Sequence, residues 1–127
     1  MMQRKRYFTL EEANRLIPRL EKELSDLKTV RQELAEVGGE LTPMFEVVYR
    51  NGGHPKSKAF LQLAEQFHEG IDRIHDYGCL IKQLEPGLID FPHMRDGREV
   101  YLCWQFGEKE LRYWHDIDAG FSSRQPI

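Results

Sequence analysis

The sequence predicts an α+β domain: a long antiparallel helical hairpin followed by a small three-stranded antiparallel β-meander packed on it. Two long stretches repeat apolar side chains at alternating spacings of three and four, which is the signature of a helical seam. Glycines and prolines punctuate the chain between and after them. Beyond Pro86 the period changes, and "REVYLCWQF" brings the β-branched and aromatic residues of a strand.

At 127 residues the chain fits one domain, 1–127, large enough for a real but modest core. Hydrophobic residues at 40% and charged residues at 31% fit a globular protein with long solvated helix faces rather than a disordered one. A formal net charge of -3 argues against nucleic-acid binding, which collects basic side chains to neutralise phosphates. The basic cluster Arg4-Lys5-Arg6 reads as a solvated tail. No apolar run approaches the roughly 20 residues of a membrane span, and "MMQRKRYF" lacks a signal-peptide core, so a cytoplasmic location without membrane contact is expected. Cys79 and Cys103 form no Cys-x-x-Cys motif and read as reduced, packed thiols.

Helix 1 is expected over 9–37. Thr9 and Glu12 form a capping box, in which hydroxyl and carboxylate each satisfy an orphan amide. Leu10, Ala13, Ile17, Leu20, Leu24, Leu27 and Leu34 then trace a coiled-coil seam, interrupted only at Arg31. Pro18 removes one donor and crowds the preceding turn, which predicts a bend near Asn14 to Pro18. Gly38-Gly39 reads as the stop.

Thr42-Pro43 as a start and Asn51-Gly52-Gly53 as a stop predict a short connecting helix over 42–50. Helix 2 is expected over 56–85, with Phe60, Leu63, Phe67, Gly70, Ile74, Tyr77, Ile81 and Leu84 on its seam and Pro86-Gly87 closing it. Gly70 on that seam lets the facing helix approach closely, at some cost in helix propensity.

The β-meander is expected over 87–118. "GLIDFP" supplies a strand ending at its proline, Arg95-Asp96-Gly97 a turn, "REVYLCWQF" the middle strand, and Gly107-Glu108 a second turn into "ELRYWHDI". On the middle strand Val100, Leu102, Trp104 and Phe106 share one face, and Tyr101, Cys103 and Gln105 share the other. Both faces are largely apolar. The helices are expected to cover one and a second subunit the other, with 119–127 left as a C-terminal tail.

Taken together, "YFTLEEANRLIP", "GLIDFP", "GREVYLCW" and "YWHDIDAGFSSRQPI" resemble the bacterial domain of unknown function 2203 (DUF2203) family over nearly the whole chain. The resemblance implies a small cytoplasmic bacterial protein, and it brings no activity, substrate or catalytic residue with it.

Two polar constellations carry the chemistry. On helix 2, Glu65, His68, Asp72, His75, Asp76 and Cys79 gather opposite the seam, and the acid-x-x-His pairs in "EQFH" and "DRIH" have the spacing with which a carboxylate and an imidazole share a divalent ion. An ordinary solvated helix face has the same composition. Near the C-terminus, Trp114, His115, Asp116, Asp118 and Arg124 cluster in sequence, with Trp104 on the middle strand and Asp90 and Arg98 brought near by the meander. A histidine with nearby carboxylates can ligate a metal or orient a general base. The alternation that puts His115 on the face of Leu111 and Tyr113 favours instead a buried histidine held by a hydrogen bond. No nucleophile elbow and no phosphate-cradling glycine loop is present.

The leading expectation is therefore a non-enzymatic interaction or scaffold protein acting as a homodimer, since clustered aromatics and arginine are the residue types of interface hot spots. The alternative is a metal-binding protein or metal-dependent enzyme holding a divalent ion at either constellation.

Overall fold

A computed structural model describes residues 6–41 and 57–127. Helix α1 (Leu10–Leu41) and helix α2 (Ser57–Asp76) precede strands β1 (Leu80–Gln83), β2 (Leu88–Arg95), β3 (Arg98–Gln105), β4 (Tyr113–Asp116) and β5 (Gln125–Pro126), with a short 3-10 turn at Phe121–Ser123. The strands make one antiparallel sheet in the order β1-β2-β3-β4-β5. The class is α+β as predicted, with five strands in place of three. The connecting helix expected over 42–50 lies outside the described residues, as do Arg4 and Lys5.

The capping box opens α1: Thr9 Oγ1 accepts from the Glu12 amide at 3.0 Å, and Glu12 Oε1 accepts from the Thr9 amide at 2.9 Å. Ala13, Ile17, Leu20, Leu24 and Leu27 are buried along the seam. The helix runs through Pro18 and past the expected end at 37 to Leu41. Gly38 does not stop it, because its φ is not positive and a Cβ there would touch the Phe60 ring at 3.4 Å. It is a packing position against α2.

Helix 2 ends at Asp76, not at 85. The Tyr77 and Gly78 amides bond back to the carbonyls of Ile74 and His75 at 3.2 and 2.9 Å, and Gly78 takes a φ of +101°, which turns the chain out of the helix. Residues 80–83 then pair with β2 as the edge strand β1. The seam spacing misleads here because Ile81 and Leu84 still pack on the core, from strand and turn positions rather than helical ones.

That core lies between the helices and one face of the sheet. Ile89 and Phe91 of β2, Val100, Leu102 and Trp104 of β3, and Trp114 of β4 meet the α1 seam and Ile74 of α2. At Gly70 a Cβ would come within 2.6 Å of Leu27 Cδ2, so the missing side chain sets how closely α1 and α2 approach. Strand β2 continues through Pro92, where the sequence predicts its end. The proline is tolerated because β1 pairs no further than Asp90, and on that free edge the Pro92 carbonyl accepts the Phe8 amide at 2.7 Å. No helix among the described residues is long and apolar enough to cross a membrane.

The opposite face of the sheet carries Asp90, Tyr101, Cys103, Tyr113 and His115 in register. Residues 119–127 are not a free tail: Ala119, Gly120 and Phe121 close over this face, and Gln125–Pro126 pairs with β4 as the fifth strand. Tyr101 and Cys103 are thereby buried within one chain. The alternation expected from Leu111 to His115 begins only at Tyr113, since Leu111 lies in the helix-side core with its amide bonded to Asn14 Oδ1 at 2.8 Å.

Candidate functional site

The two-residue turn at Asp96-Gly97, with φ of 52° and 77°, fixes the register of β2 on β3 and sets Asp90 opposite Cys103. Strand β4 then sets His115 beside Tyr101. All three polar groups project to the face away from the helices and are buried there, with Asp90 and His115 each only 2% exposed. One donor atom from each of Asp90, Cys103 and His115 lies within 4.8 Å of the other two, and this is the group of that kind found among the described residues.

The hydrogen bonds fix the proton inventory. His115 Nδ1 stands 2.8 Å from the Asp116 carbonyl, which only accepts, so Nδ1 carries a hydrogen. Nε2 faces the Asp90 carboxyl at 3.1 and 3.2 Å, and one proton is shared across that contact. Burial pushes the Asp90 carboxyl above its ordinary range, opposed by His115 and by the Cys103 thiol that donates to it. Burial, reinforced by Asp90, pushes the Cys103 thiol up to about 12. Cys103 is therefore a neutral thiol at physiological pH and no ready nucleophile.

The three groups floor a cleft of about 270 Å³. Lys82 and Gln83 of β1 line one side, and Leu88 and Phe121 add apolar walls. Lys82 Nζ lies 4.7 Å from the Tyr101 ring centroid, and that ring meets His115 edge-on at 5.7 Å.

The other expected site residues go elsewhere. Trp104 is a core side chain whose Nε1 donates to the Glu108 carbonyl at 2.8 Å, and Trp114 packs in the core beneath Arg95. Arg98 and Asp116 form an exposed ion pair at 3.0 Å, and Asp118 lines a shallow groove beside them. Arg124 is a brace: Nη2 meets both Glu108 carboxylate oxygens at 2.7 and 2.8 Å, while the guanidinium stacks on Tyr113 and Phe121. On α2, Glu65, His68, Asp72, His75 and Asp76 are exposed, and the described contacts bring together His68 and Asp72, at 3.7 Å. Cys79 leaves that set altogether, because the helix ends before it and it is buried with its thiol on the Ile74 carbonyl.

Sequence reasoning missed Cys103, Lys82 and Phe121 as members of one site. Cys103 was within reach: the Asp-Gly turn that joins the two strands also determines which residue faces Asp90. Lys82 was hidden by the helical reading of 80–83.

A family model described as "Uncharacterized conserved protein (DUF2203)" matches residues 6–127. No curated protein and no solved structure matches the chain.

Proposed function

The chain belongs to the DUF2203 family, and from that premise we propose that it is a metal-binding protein whose centre is Asp90, Cys103 and His115. One observation carries the reading: an oxygen, a sulfur and a nitrogen donor converge within 4.8 Å, with the histidine already oriented. This mixed set suits a borderline divalent ion such as zinc. Tetrahedral coordination at bond lengths of about 2.0 to 2.3 Å needs donors roughly 3.3 to 3.8 Å apart, so the contact of Nε2 with the Asp90 carboxyl at 3.1 Å would open slightly and any wider separation within the 4.8 Å set would close. The bond from Nδ1 to the Asp116 carbonyl leaves Nε2 as the ligating atom, which is how metal-binding histidines are commonly held. Binding would displace the proton shared by Asp90 and His115 and the thiol proton of Cys103.

Calorimetric titration with zinc, manganese and nickel tests this. Stoichiometric zinc binding is expected, lost in Cys103→Ala and in His115→Ala and retained in His68→Ala and Asp118→Asn. Circular dichroism on each variant separates loss of binding from loss of fold. An isotherm that survives Cys103→Ala, or that disappears in His68→Ala, overturns the assignment.

A non-enzymatic interaction protein acting as a homodimer is the second reading. It is favoured by Ile117, Phe121 and Ile127, large apolar side chains left 42 to 45% exposed on the C-terminal segment. Sedimentation at micromolar concentration tests it, and a clean monomer sinks it.

A further inference from the structure

Resting on that metal reading, we infer that the cleft above Asp90, Cys103 and His115 binds a small organic carboxylate. Three protein donors leave a tetrahedral ion with a fourth position, and the cleft is the space into which that position opens. A divalent ion held by one thiolate, one carboxylate and a neutral imidazole has no net charge left over. Lys82 then decides the sign of the site: it lines the cleft, sits on the ring that packs against His115, and acts electrostatically on Asp90. The cleft as a whole carries one surplus positive charge.

The remainder of the lining tells against a bare inorganic anion. Leu88 is buried and Phe121 half exposed at the cleft, and Gly120 beside it has open space where a Cβ would stand. These groups offer apolar contact to a short alkyl chain, whose burial is favourable in proportion to the area removed from water. At about 270 Å³ the cleft falls just below the roughly 300 to 1,000 Å³ of drug-sized pockets, so the ligand is small. The carboxylate would sit between the fourth position and Lys82, and a short alkyl tail would lie along Leu88 and Phe121.

The test uses the full chain loaded with cobalt, whose visible absorption reports its ligands. Acetate, butyrate and inorganic phosphate are titrated in turn. A saturable spectral change is expected with both carboxylates, tighter for butyrate than for acetate by fivefold or more, and weak or absent with phosphate. On cobalt-loaded Lys82→Gln the affinity for both carboxylates should fall about tenfold. On cobalt-loaded Phe121→Ala the preference for butyrate over acetate should collapse. Cobalt that binds with a spectrum indifferent to carboxylates overturns the inference and leaves the metal site standing. Phosphate binding as tightly as butyrate, or an unchanged affinity in Lys82→Gln, also overturns it. Absence of any cobalt band removes the metal reading and the inference with it.

Discussion

His115 Nε2 lies 3.1 Å from Asp90 Oδ2, between two side chains that are each 3% exposed. Neither residue is near the other in sequence, and each is the other's answer to burial. In metal-free protein, His115→Ala should lower stability by about 1 to 3 kcal/mol, because Asp90 is left buried without its partner. Asp118→Asn, on the exposed segment beyond β4, should stay within about 0.5 kcal/mol of wild type. Urea denaturation in the presence of a chelator reads both, and equal effects would contradict the buried-pair account.

The helix seam gives a second prediction. Leu24 and Ile74 are fully buried where α1 and α2 meet the sheet, so Leu24→Ala or Ile74→Ala should cost roughly 2 to 5 kcal/mol through an incompletely collapsing cavity. Unchanged thermal stability in either variant would show the seam to be misassigned.

At Gly70 two effects oppose. Alanine is favoured in a helix by about 1 kcal/mol, but its Cβ would press on Leu27 Cδ2 and Cγ, and overpacking costs typically 1 to 3 kcal/mol. Gly70→Ala should therefore be destabilising by up to about 2 kcal/mol. Combining it with Leu27→Ala should recover the helix-propensity gain, and a double-mutant cycle without coupling would deny the contact.

Cys79 makes stability depend on alkaline pH. Its burial pushes the thiol from 9.0 up to about 12, so the folded state holds the proton more tightly than the unfolded chain. This contribution is fully present below about pH 9 and is lost as pH rises toward 12. It amounts to at most a few kcal/mol, since each tenfold gain in proton affinity on folding is worth about 1.4 kcal/mol. Cys79→Ala should flatten the fall in stability between pH 9 and 11, measured by urea titration at each pH, and an identical slope in the two proteins would contradict it.

Arg124 and Glu108 tie the C-terminal strand to the turn after β3. Their side chains are 12% and 28% exposed, which places the pair between a surface bridge and a buried one. Arg124→Met and Glu108→Gln should show a coupling energy of about 1 to 2 kcal/mol in a double-mutant cycle. Arg124→Lys should not restore it, because an ammonium lacks the planar face that stacks on Tyr113 and Phe121 while the charge meets Glu108.

Local chemistry made several features legible in the sequence. Thr9 and Glu12 cap each other because only a three-residue spacing lets them. The spacing of Ala13, Ile17, Leu20, Leu24 and Leu27 named the buried face of α1, since a helix has no other way to present those residues together. Asp96-Gly97 dictated the tight turn and with it the register of β2 on β3. Each of these depends on residues a few positions apart, where backbone geometry leaves one outcome.

Only the tertiary structure decided the rest. Whether Ile81 and Leu84 belong to a helix or to a strand and its turn is undetermined by their spacing, because both conformations turn them toward the core; the free edge of β2 and the positive φ at Gly78 settle it. The same choice moves Cys79 from a solvated helix face into the core. The site follows suit. Asp90 and Cys103 are joined by a register that a turn can dictate, but His115 arrives through the irregular connection between β3 and β4, residues 106–112, whose path is fixed by contacts as distant as Asn14 on Leu111. Sequence determines which side chains are available and which local turns they make. Which of them meet is set by long-range packing, because burial rewards any apolar partner and only the assembled sheet selects one.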